Sequence, residues 1–352
     1  MTGASNASRT RRREPLTDAQ LLTTISICIF VVMYAAAMIF LGGGFLKVQQ
    51  IFDLLNDNAA LIIVACALTV VMIGGGINIS VGGVIGFTVM SCALFLNAHE
   101  GGPMTIVLTA LLALGIGLAF GVLEGFLVSY LEIQPFIVTL AGMFLSRGLT
   151  TMLSVNPVKV THEGFLALVK AKIKIPWLGY IAQNGNLIPA KLEIGAVVAL
   201  CVVLLVSLML RYMRFGRNIY ALGGNRQSAL MLGINVKRTC FWSYVLSGLL
   251  SGLAGLVFIM HKPAGNASVA MRSEMDAIAA SIIGGTLLTG GVGNVVGTFF
   301  GVMILATIQK IIALSPLNAS WWQEMASGAM LGFFIILQSV VLSNRSKRRQ
   351  AN

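Results

Sequence analysis

This chain of 352 residues contains ten apolar runs, separated by more polar stretches. A helix needs ~20 apolar residues to cross the ~30 Å hydrocarbon core of a bilayer. By that rule the predicted spans are residues 21–42, 54–73, 80–98, 104–123, 134–154, 193–212, 239–260, 276–290, 294–314 and 321–342. The pattern predicts an all-α integral membrane protein with a transmembrane domain over 21–342. Around and within it are basic tails at 1–20 and 343–352, an outer loop at 155–192 and an inner loop at 211–238.

Glycines interrupt the apolar pattern at two corresponding places. Residues 73–84 read IGGGINISVGGV, and residues 283–294 read IGGTLLTGGVGN. Broken backbone survives at membrane depth only where protein or a water-filled cavity satisfies its polar groups. Two glycine-broken segments in corresponding positions indicate two pseudo-repeated halves with a substrate path at their interface.

Composition and charge support a membrane protein and set its orientation. The chain is 57% hydrophobic and only 10% charged, against roughly a quarter charged in ordinary globular domains. The net charge of +12 could indicate nucleic acid, but the predicted inner segments hold 14 basic and four acidic residues, Glu124 among the latter. The outer segments hold nine basic and eight acidic residues. This asymmetry follows the positive-inside rule, so both termini are predicted to be cytoplasmic and nucleic-acid binding is rejected.

Residues typical of enzymes are missing from the sequence. The three histidines stand apart, without a His, Cys, Asp and Glu cluster at metal spacing. No G-x-S-x-G elbow and no G-x-x-x-x-G-K-[ST] phosphate loop occurs. Arg147 lies deeper in a predicted span than the charged residues at the span ends, so it needs protein or water beside it. We therefore expect a non-catalytic chain without a metal or a bound cofactor.

Neutral polar residues are the predicted lining of the path. Hydroxyls and amides exchange hydrogen bonds with an uncharged polyhydroxylated solute at small net free energy, which permits passage. Ordinary interhelical hydrogen bonding is the alternative role for each residue alone. The predicted pathway set is Asn58, Asn78, Ser80, Thr139, Thr286, Thr289 and Asn294.

The inner loop contains a predicted short helix. Asn225 is a good N-cap, the following RQSALML favours a helix, and Gly233 can end it. Such a helix could dock on a partner, whereas a solvated loop is the plain alternative. The predicted docking residues are Gly224, Asn225, Arg226, Ala229, Leu232, Gly233 and Ile234.

Five stretches resemble the permease subunits of bacterial ATP-binding-cassette (ABC) sugar importers of the ribose and galactose type. They are GGGINISVGGVIGFT (74–88), IQPFIVTLAGMFLSRG (133–148), FGRNIYALGGNRQSALMLGINV (215–236), EMDAIAASIIGGTLLTGGVGNVVGTFFGV (274–302) and ASWWQEMASGAMLGFFIILQ (319–338). The last is most similar to permeases of galactofuranose importers. The chain departs from the family pattern in two places, because the family commonly has Asp at Asn78 and often Glu-Glu at Arg226 and Gln227.

The resemblance implies a ten-helix ABC permease fold in the bacterial inner membrane. It implies a second permease subunit, ABC ATPase subunits that use ATP and Mg, a periplasmic sugar-binding protein and a monosaccharide substrate. The loop helix would then be the coupling helix that contacts the ATPase. A stand-alone secondary transporter or facilitator for a small neutral solute is the alternative, and an intramembrane scaffold is the third interpretation. For the 155–192 loop we expect either a segment lying in the outer interface or an irregular loop.

Overall fold

A computed structural model describes residues 18–41, 47–99, 102–181, 187–314 and 320–350. The helices within these residues are α1 (Asp18–Leu41), α2 (Gln49–Asp57), α3 (Ala59–Ile73), α4 (Val81–Ala98), α5 (Pro103–Ser129), α6 (Pro135–Leu153), α7 (Glu163–Lys170), α8 (Ile194–Tyr212), α9 (Arg214–Gly224), α10 (Arg226–Met231), α11 (Val236–His261), α12 (Ser273–Ile283), α13 (Val295–Leu314) and α14 (Ser320–Gln350). The strands are β1 (Val158–Lys159), β2 (Ile173–Ile181), β3 (Leu187–Leu192) and β4 (Ala264–Gly265).

The predicted helical membrane class is confirmed, whereas the count of ten spans stays a prediction. Among the described residues, seven helices are long and apolar enough to cross a membrane, and α2 with α3, bent by 60°, would form an eighth. The predicted span 276–290 overlaps the 11-residue helix α12, which begins at Ser273 and ends at Ile283. The predicted span 321–342 lies in α14, which continues through the basic segment to Gln350, and its apolar part is 324–337. The basic residues predicted for the N-terminal tail lie outside the described residues.

Helix α3 is the centre of the bundle. Its sequence is apolar on all sides, and a helix of that kind is stable only when it is surrounded by protein or lipid. Helices α8, α11, α12 and α13 pack around it, and most of its side chains are fully buried. The first glycine break therefore begins from a helix that is almost completely buried.

Small residues allow α5 and α11 to pack closely. A Cβ atom on Gly117 would lie 2.8 Å from the Gly252 backbone nitrogen, and one on Gly121 would lie 2.8 Å from the Tyr244 carbonyl oxygen. Glycines four residues apart permit such close backbone contact within a membrane. By contrast, Gly328 and Gly332 of α14 have the same spacing, but a Cβ atom added to either would have no described atom within 4 Å.

Each half contributes a helix that packs beside the glycine break of the other half. Helix α1 packs mainly against α13, next to the second glycine break, while α11 packs against α3, α4 and α5 next to the first. Each break is thus braced by a helix that precedes the other half in the sequence. This arrangement joins the halves into one bundle.

The connection over 155–192 contains regular structure, which contradicts the irregular-loop alternative, while its position in the outer interface stays a prediction. It contains α7 and an antiparallel hairpin of β2 and β3, in which Ile173 pairs with Leu192 and Ile175 with Ala190. The alternation of isoleucines and lysines over 173–175 is the period-two pattern of a strand. A second antiparallel pair, β1 with β4, ties this connection to the end of α11.

Candidate functional site

The two glycine breaks have the same backbone geometry. Gly75, two residues after the end of α3, has φ +81°, and Gly285, two residues after the end of α12, has φ +95°. In both, the next amide donates to a carbonyl five residues back: Gly76 to Val71 at 3.0 Å and Thr286 to Ser281 at 2.9 Å. This is the Schellman ending, which favours glycine in the left-handed position. The local structure therefore supports the pseudo-repeat that the sequence predicted.

An asparagine follows each break and ties it to the exchanged helix. Asn78 Oδ1 accepts from the Ser80 amide at 3.0 Å, and Asn294 Oδ1 accepts from the Val296 amide at 3.1 Å. The Asn78 Nδ2 donates to Ser247 Oγ on α11, and the Asn294 Nδ2 donates to Thr23 Oγ1 on α1, each at 3.2 Å. Both asparagines thus hold the chain direction after the break.

The two breaks contact each other and the end of α9. The Gly291 amide donates to the Ile73 carbonyl at 2.8 Å. Gly223, near the end of α9, packs so closely that an added Cβ would overlap the Ile73 carbonyl oxygen and lie 2.5 Å from the Gly291 nitrogen. A displacement of α9 would therefore reach both breaks directly.

Helix α10 forms where the loop sequence predicted a helix. Asn225 caps it by accepting from the Ser228 amide at 2.9 Å, and Gly233 ends it at φ +76°. Ala229 is only 1% exposed and packs with Leu222 and Val236. Our expectation that Ala229 would be available to a partner is wrong, because the helix uses this side chain to attach itself to the protein.

Three other apolar side chains of this loop are free for a partner. Leu230, Met231 and Leu232 are 56%, 88% and 76% exposed. Of the remaining predicted docking residues, Gly224, Asn225, Arg226 and Gly233 are exposed and Ile234 is half-buried. We call the exposed side chains Leu230, Met231 and Leu232 the α10 knob.

A cavity of about 560 Å³ lies between the first break and this loop. Its polar lining includes the glycines 74–76, Ser129, Gln134, Asn225, Ser243 and Tyr244. The turn from α5 to α6 forms part of the rim, where Glu132, at φ +56°, pairs with Lys237 at 3.1 Å and Arg226 at 4.0 Å. The hydrogen bond and positive charge of Lys237, with a smaller effect of Arg226, lower the pKa of Glu132. The ion pairs connect the cavity rim to the loop.

Asn78, Ser80 and Glu124 form a buried polar cluster close to Tyr244. Asn78 and Ser80, both 1% exposed, are hydrogen-bonded to each other at 2.8 Å. The Glu124 side chain, also 1% exposed, lies beside them and faces Gly142, and its Oε1 has no hydrogen-bond partner among the described residues. From the sequence we placed Glu124 in an inner loop and did not predict it as a site residue. Its position between Gly121 and Gly125, on the glycine face of α5, was the available signal.

The predicted pathway residues do not form one continuous lining. Asn78 and Ser80 lie together, whereas buried Thr139 donates to the Pro135 carbonyl within its own helix. Asn58 likewise donates to Leu54 at the α2–α3 bend. Thr286 is buried with no partner for its hydroxyl among the described residues, and Thr289 is exposed. Asn294 lines a separate cavity of about 450 Å³. Their role in transport stays a prediction.

Ionic contacts connect several elements at the opposite end of the bundle. His261 lies 2.7 Å from Glu193 and 3.6 Å from Asp57, while Lys172 and Lys310 pair with these same carboxylates. Burial raises the pKa of Glu193, but the hydrogen bonds and charges of His261 and Lys172 together lower it below its ordinary value.

Arg147 has hydrogen-bond partners in the structure, and the described ranges hold no metal-binding group. Arg147 donates to the carbonyls of Val269 and Ala270 at 2.6 and 2.9 Å. Within the part of the chain that the structure describes, no three His, Cys, Asp or Glu side chains come together as metal ligands would.

Nearly the whole chain is similar to known proteins. A family model described as the permease component of a branched-chain amino acid transport system matches residues 50–336. The inner membrane ABC transporter permease protein YjfF of Escherichia coli K12 is 38% identical over 92% of this chain and 94% of its own length. The fructose import permease protein FruG of Bifidobacterium longum is 32% identical over 97% of this chain and 98% of its own. The xylose transport system permease protein XylH of E. coli K12 is 30% identical, with 93% and 94% covered. No solved structure gives a significant match.

Proposed function

We propose a transport mechanism for this chain, which belongs to the family of permease subunits of ABC sugar importers. Members of this family are multi-pass membrane proteins, are not catalytic themselves and work with ATPase and substrate-binding partners. The chain forms the membrane pathway for a monosaccharide, and separate ATPase subunits bind the ATP and Mg that drive it.

The contact between α9 and the two glycine breaks carries this proposal. Gly223 touches the carbonyl of Ile73 in the first break and the amide of Gly291 in the second. Backbone packed this closely cannot absorb a displacement by side-chain rotation. A movement imposed on α9 and α10 from the cytoplasm would therefore shift both breaks at once.

The α10 knob is the proposed ATPase contact. Three exposed apolar side chains at the end of one short, capped helix give a partner apolar surface to bury. The buried Ala229 side chain attaches the helix to the rest of the protein. The ion pairs of Arg226 and Lys237 with Glu132 connect it to the cavity rim. The cavity would open or close as the ATPase moves the helix.

The substrate is an uncharged sugar. Hydroxyl, amide and glycine backbone groups line the cavity beside the first break, and its charged lining residues, Glu132, Arg226 and Lys237, pair with one another. Such groups can exchange hydrogen bonds with a sugar without holding it tightly. The related proteins named for fructose and xylose import support a monosaccharide, which we propose is of the ribose, galactose or galactofuranose type.

The complete importer would contain a second permease subunit and a periplasmic sugar-binding protein. We place the α10 knob and both termini in the cytoplasm of a bacterial inner membrane, with the hairpin of β2 and β3 on the periplasmic side. This orientation puts the arginine-rich loop inside, as the positive-inside rule requires.

Reconstitution tests this function. The chain would be placed in proteoliposomes with its ATPase and binding protein, and uptake of radiolabelled galactose, ribose, xylose and fructose would be measured with and without internal ATP. We expect uptake of at least one sugar that requires both ATP and the ATPase. Equal uptake by liposomes holding the permease alone would contradict the proposal and indicate a secondary transporter or facilitator.

A further inference from the structure

A second cavity, of about 450 Å³, lies at the inner end of α8 and α9 beside the start of α13. Its volume is within the ~300–1,000 Å³ of typical ligand cavities. Arg211 and Arg217 line it, together with Ser207, Tyr220 and Asn294. It adjoins the second glycine break, because Tyr220 donates from its hydroxyl to the Gly293 carbonyl at 2.8 Å.

The charges of this cavity differ from those of the larger one. In the larger cavity the cations Lys237 and Arg226 pair with Glu132. Arg211 and Arg217 form no ion pair with a carboxylate among the described residues, and no described acidic residue lines their cavity. Arg217 instead donates one N–H group to the Tyr212 carbonyl at 3.1 Å. Arg211 also lies over the Tyr212 ring, 5.5 Å from its centroid. The cavity is thus a concave site whose two cations pair with no described carboxylate.

The surface next to the cavity is suited to hydrocarbon. Leu204, Leu205 and Leu208 of α8 are 60%, 64% and 44% exposed, and they occupy successive turns that lead to Arg211. Tyr212, 65% exposed, lies at the end of this apolar face, as aromatic residues do at the membrane–water interface. A molecule with an anionic head and long apolar chains would contact both the cavity and the leucine face.

We propose that this cavity binds the phosphate headgroup of an anionic phospholipid, whose acyl chains lie along the leucine face of α8. Basic cavities between transmembrane helices on the cytoplasmic side are typical sites for such headgroups. Arginine suits the ligand because its guanidinium can donate two parallel hydrogen bonds to phosphate oxygens. Since the cavity is lined by residues 293–296 as well, the lipid would brace the second glycine break.

Native mass spectrometry of the purified full chain tests this proposal. The protein would be mixed with phosphatidylglycerol or phosphatidylcholine in detergent, and the lipid-bound fraction would be measured against lipid concentration. The test variant is Arg211→Gln with Arg217→Gln. The control is Arg214→Gln with Arg238→Gln, which removes the same charge from exposed positions of the same loop that do not line the cavity.

We expect the wild type and the control to retain phosphatidylglycerol more strongly than phosphatidylcholine. A juxtamembrane arginine contributes about a 5-fold gain in affinity for an anionic lipid, so the test variant should bind it about 30-fold more weakly. If that variant does not fold, single Arg217→Gln should bind it about 5-fold more weakly.

Three outcomes would overturn the proposal. Equal retention by the test and control variants would mean general charge attraction. Displacement of the lipid by equimolar inorganic phosphate would identify a free-anion site. Unchanged lipid retention, with weaker binding of the ATPase to the test variant, would assign the cavity to a protein contact.

Discussion

Replacing Gly223 by alanine tests the proposed transmission between the loop and the two glycine breaks. The new Cβ would overlap the Ile73 carbonyl oxygen and lie 2.5 Å from the Gly291 nitrogen. Both are backbone atoms, so neither can rotate away. The neighbouring Gly224→Ala is the matched control, because its Cβ would have no described atom within 4 Å.

The expected magnitude follows from the contacts that Gly223→Ala disturbs. Overpacking of a close contact costs about 1–3 kcal/mol, and loss of the 2.8 Å Gly291–Ile73 hydrogen bond adds about 1 kcal/mol. Alanine recovers up to about 1 kcal/mol relative to glycine within a helix. We therefore expect Gly223→Ala to lower the free energy of unfolding by about 1–4 kcal/mol, and Gly224→Ala to leave it unchanged or raise it slightly.

The assay has two readouts. Unfolding of the purified permease in SDS gives the stability difference, and reconstituted importer gives sugar uptake per ATP hydrolysed. We expect Gly223→Ala to reduce uptake more than ATP hydrolysis, because the breaks no longer follow the loop. If Gly223→Ala matched Gly224→Ala in both stability and coupling, the argument that backbone contact transmits the movement would be refuted.

Three further predictions concern the α10 knob, the first break and the ionic contacts of Glu193. Met231→Asp should weaken ATPase binding by about 1.5–3 kcal/mol, the free energy of burying a methionine, without changing the melting temperature of the permease. Asn78→Ala should slow uptake and lower stability by about 1–3 kcal/mol, because it leaves buried polar groups unpaired, yet the importer should still assemble. Asn58→Ala, which loses only a bond within its own segment, should have a smaller effect. Glu193 has a lowered pKa, so its contribution to stability is complete above the ordinary carboxylate pKa and is lost as pH falls through the lowered value. Glu193→Gln should remove this pH dependence from thermal unfolding curves.

Each of these has a clear contrary result. Unchanged ATPase affinity of Met231→Asp would remove the α10 knob from the interface. Normal uptake by Asn78→Ala in vesicles would remove Asn78 from the proposed pathway. An identical acid limb of the unfolding curves for Glu193→Gln and the wild type would show that the contacts with His261 and Lys172 do not stabilise the fold.

Glu124 illustrates what residue-by-residue reading of a sequence cannot decide. By position it follows an apolar run, and counting it as an inner-loop residue agreed with the charge asymmetry. The structure continues α5 to Ser129, so Glu124 lies inside the bundle beside Ser80 and Gly142. The length of a membrane helix depends on the partners that cover its last turns, and here α11 and α6 supply them. The same dependence made Ala229 a buried anchor instead of an exposed contact.

The sequence by itself determined the features that local chemistry controls. Apolar length defined the membrane class, glycine placement located both breaks, and Asn225 with Gly233 bounded α10. Only the tertiary structure decided which distant segments meet: the two breaks with Gly223, α1 with the second half, and Arg211 with Arg217 around one cavity. Hydrophobicity and capping act within a few residues along the chain. Contacts between helices depend on how complete surfaces fit together, and that fit is not encoded in any single stretch.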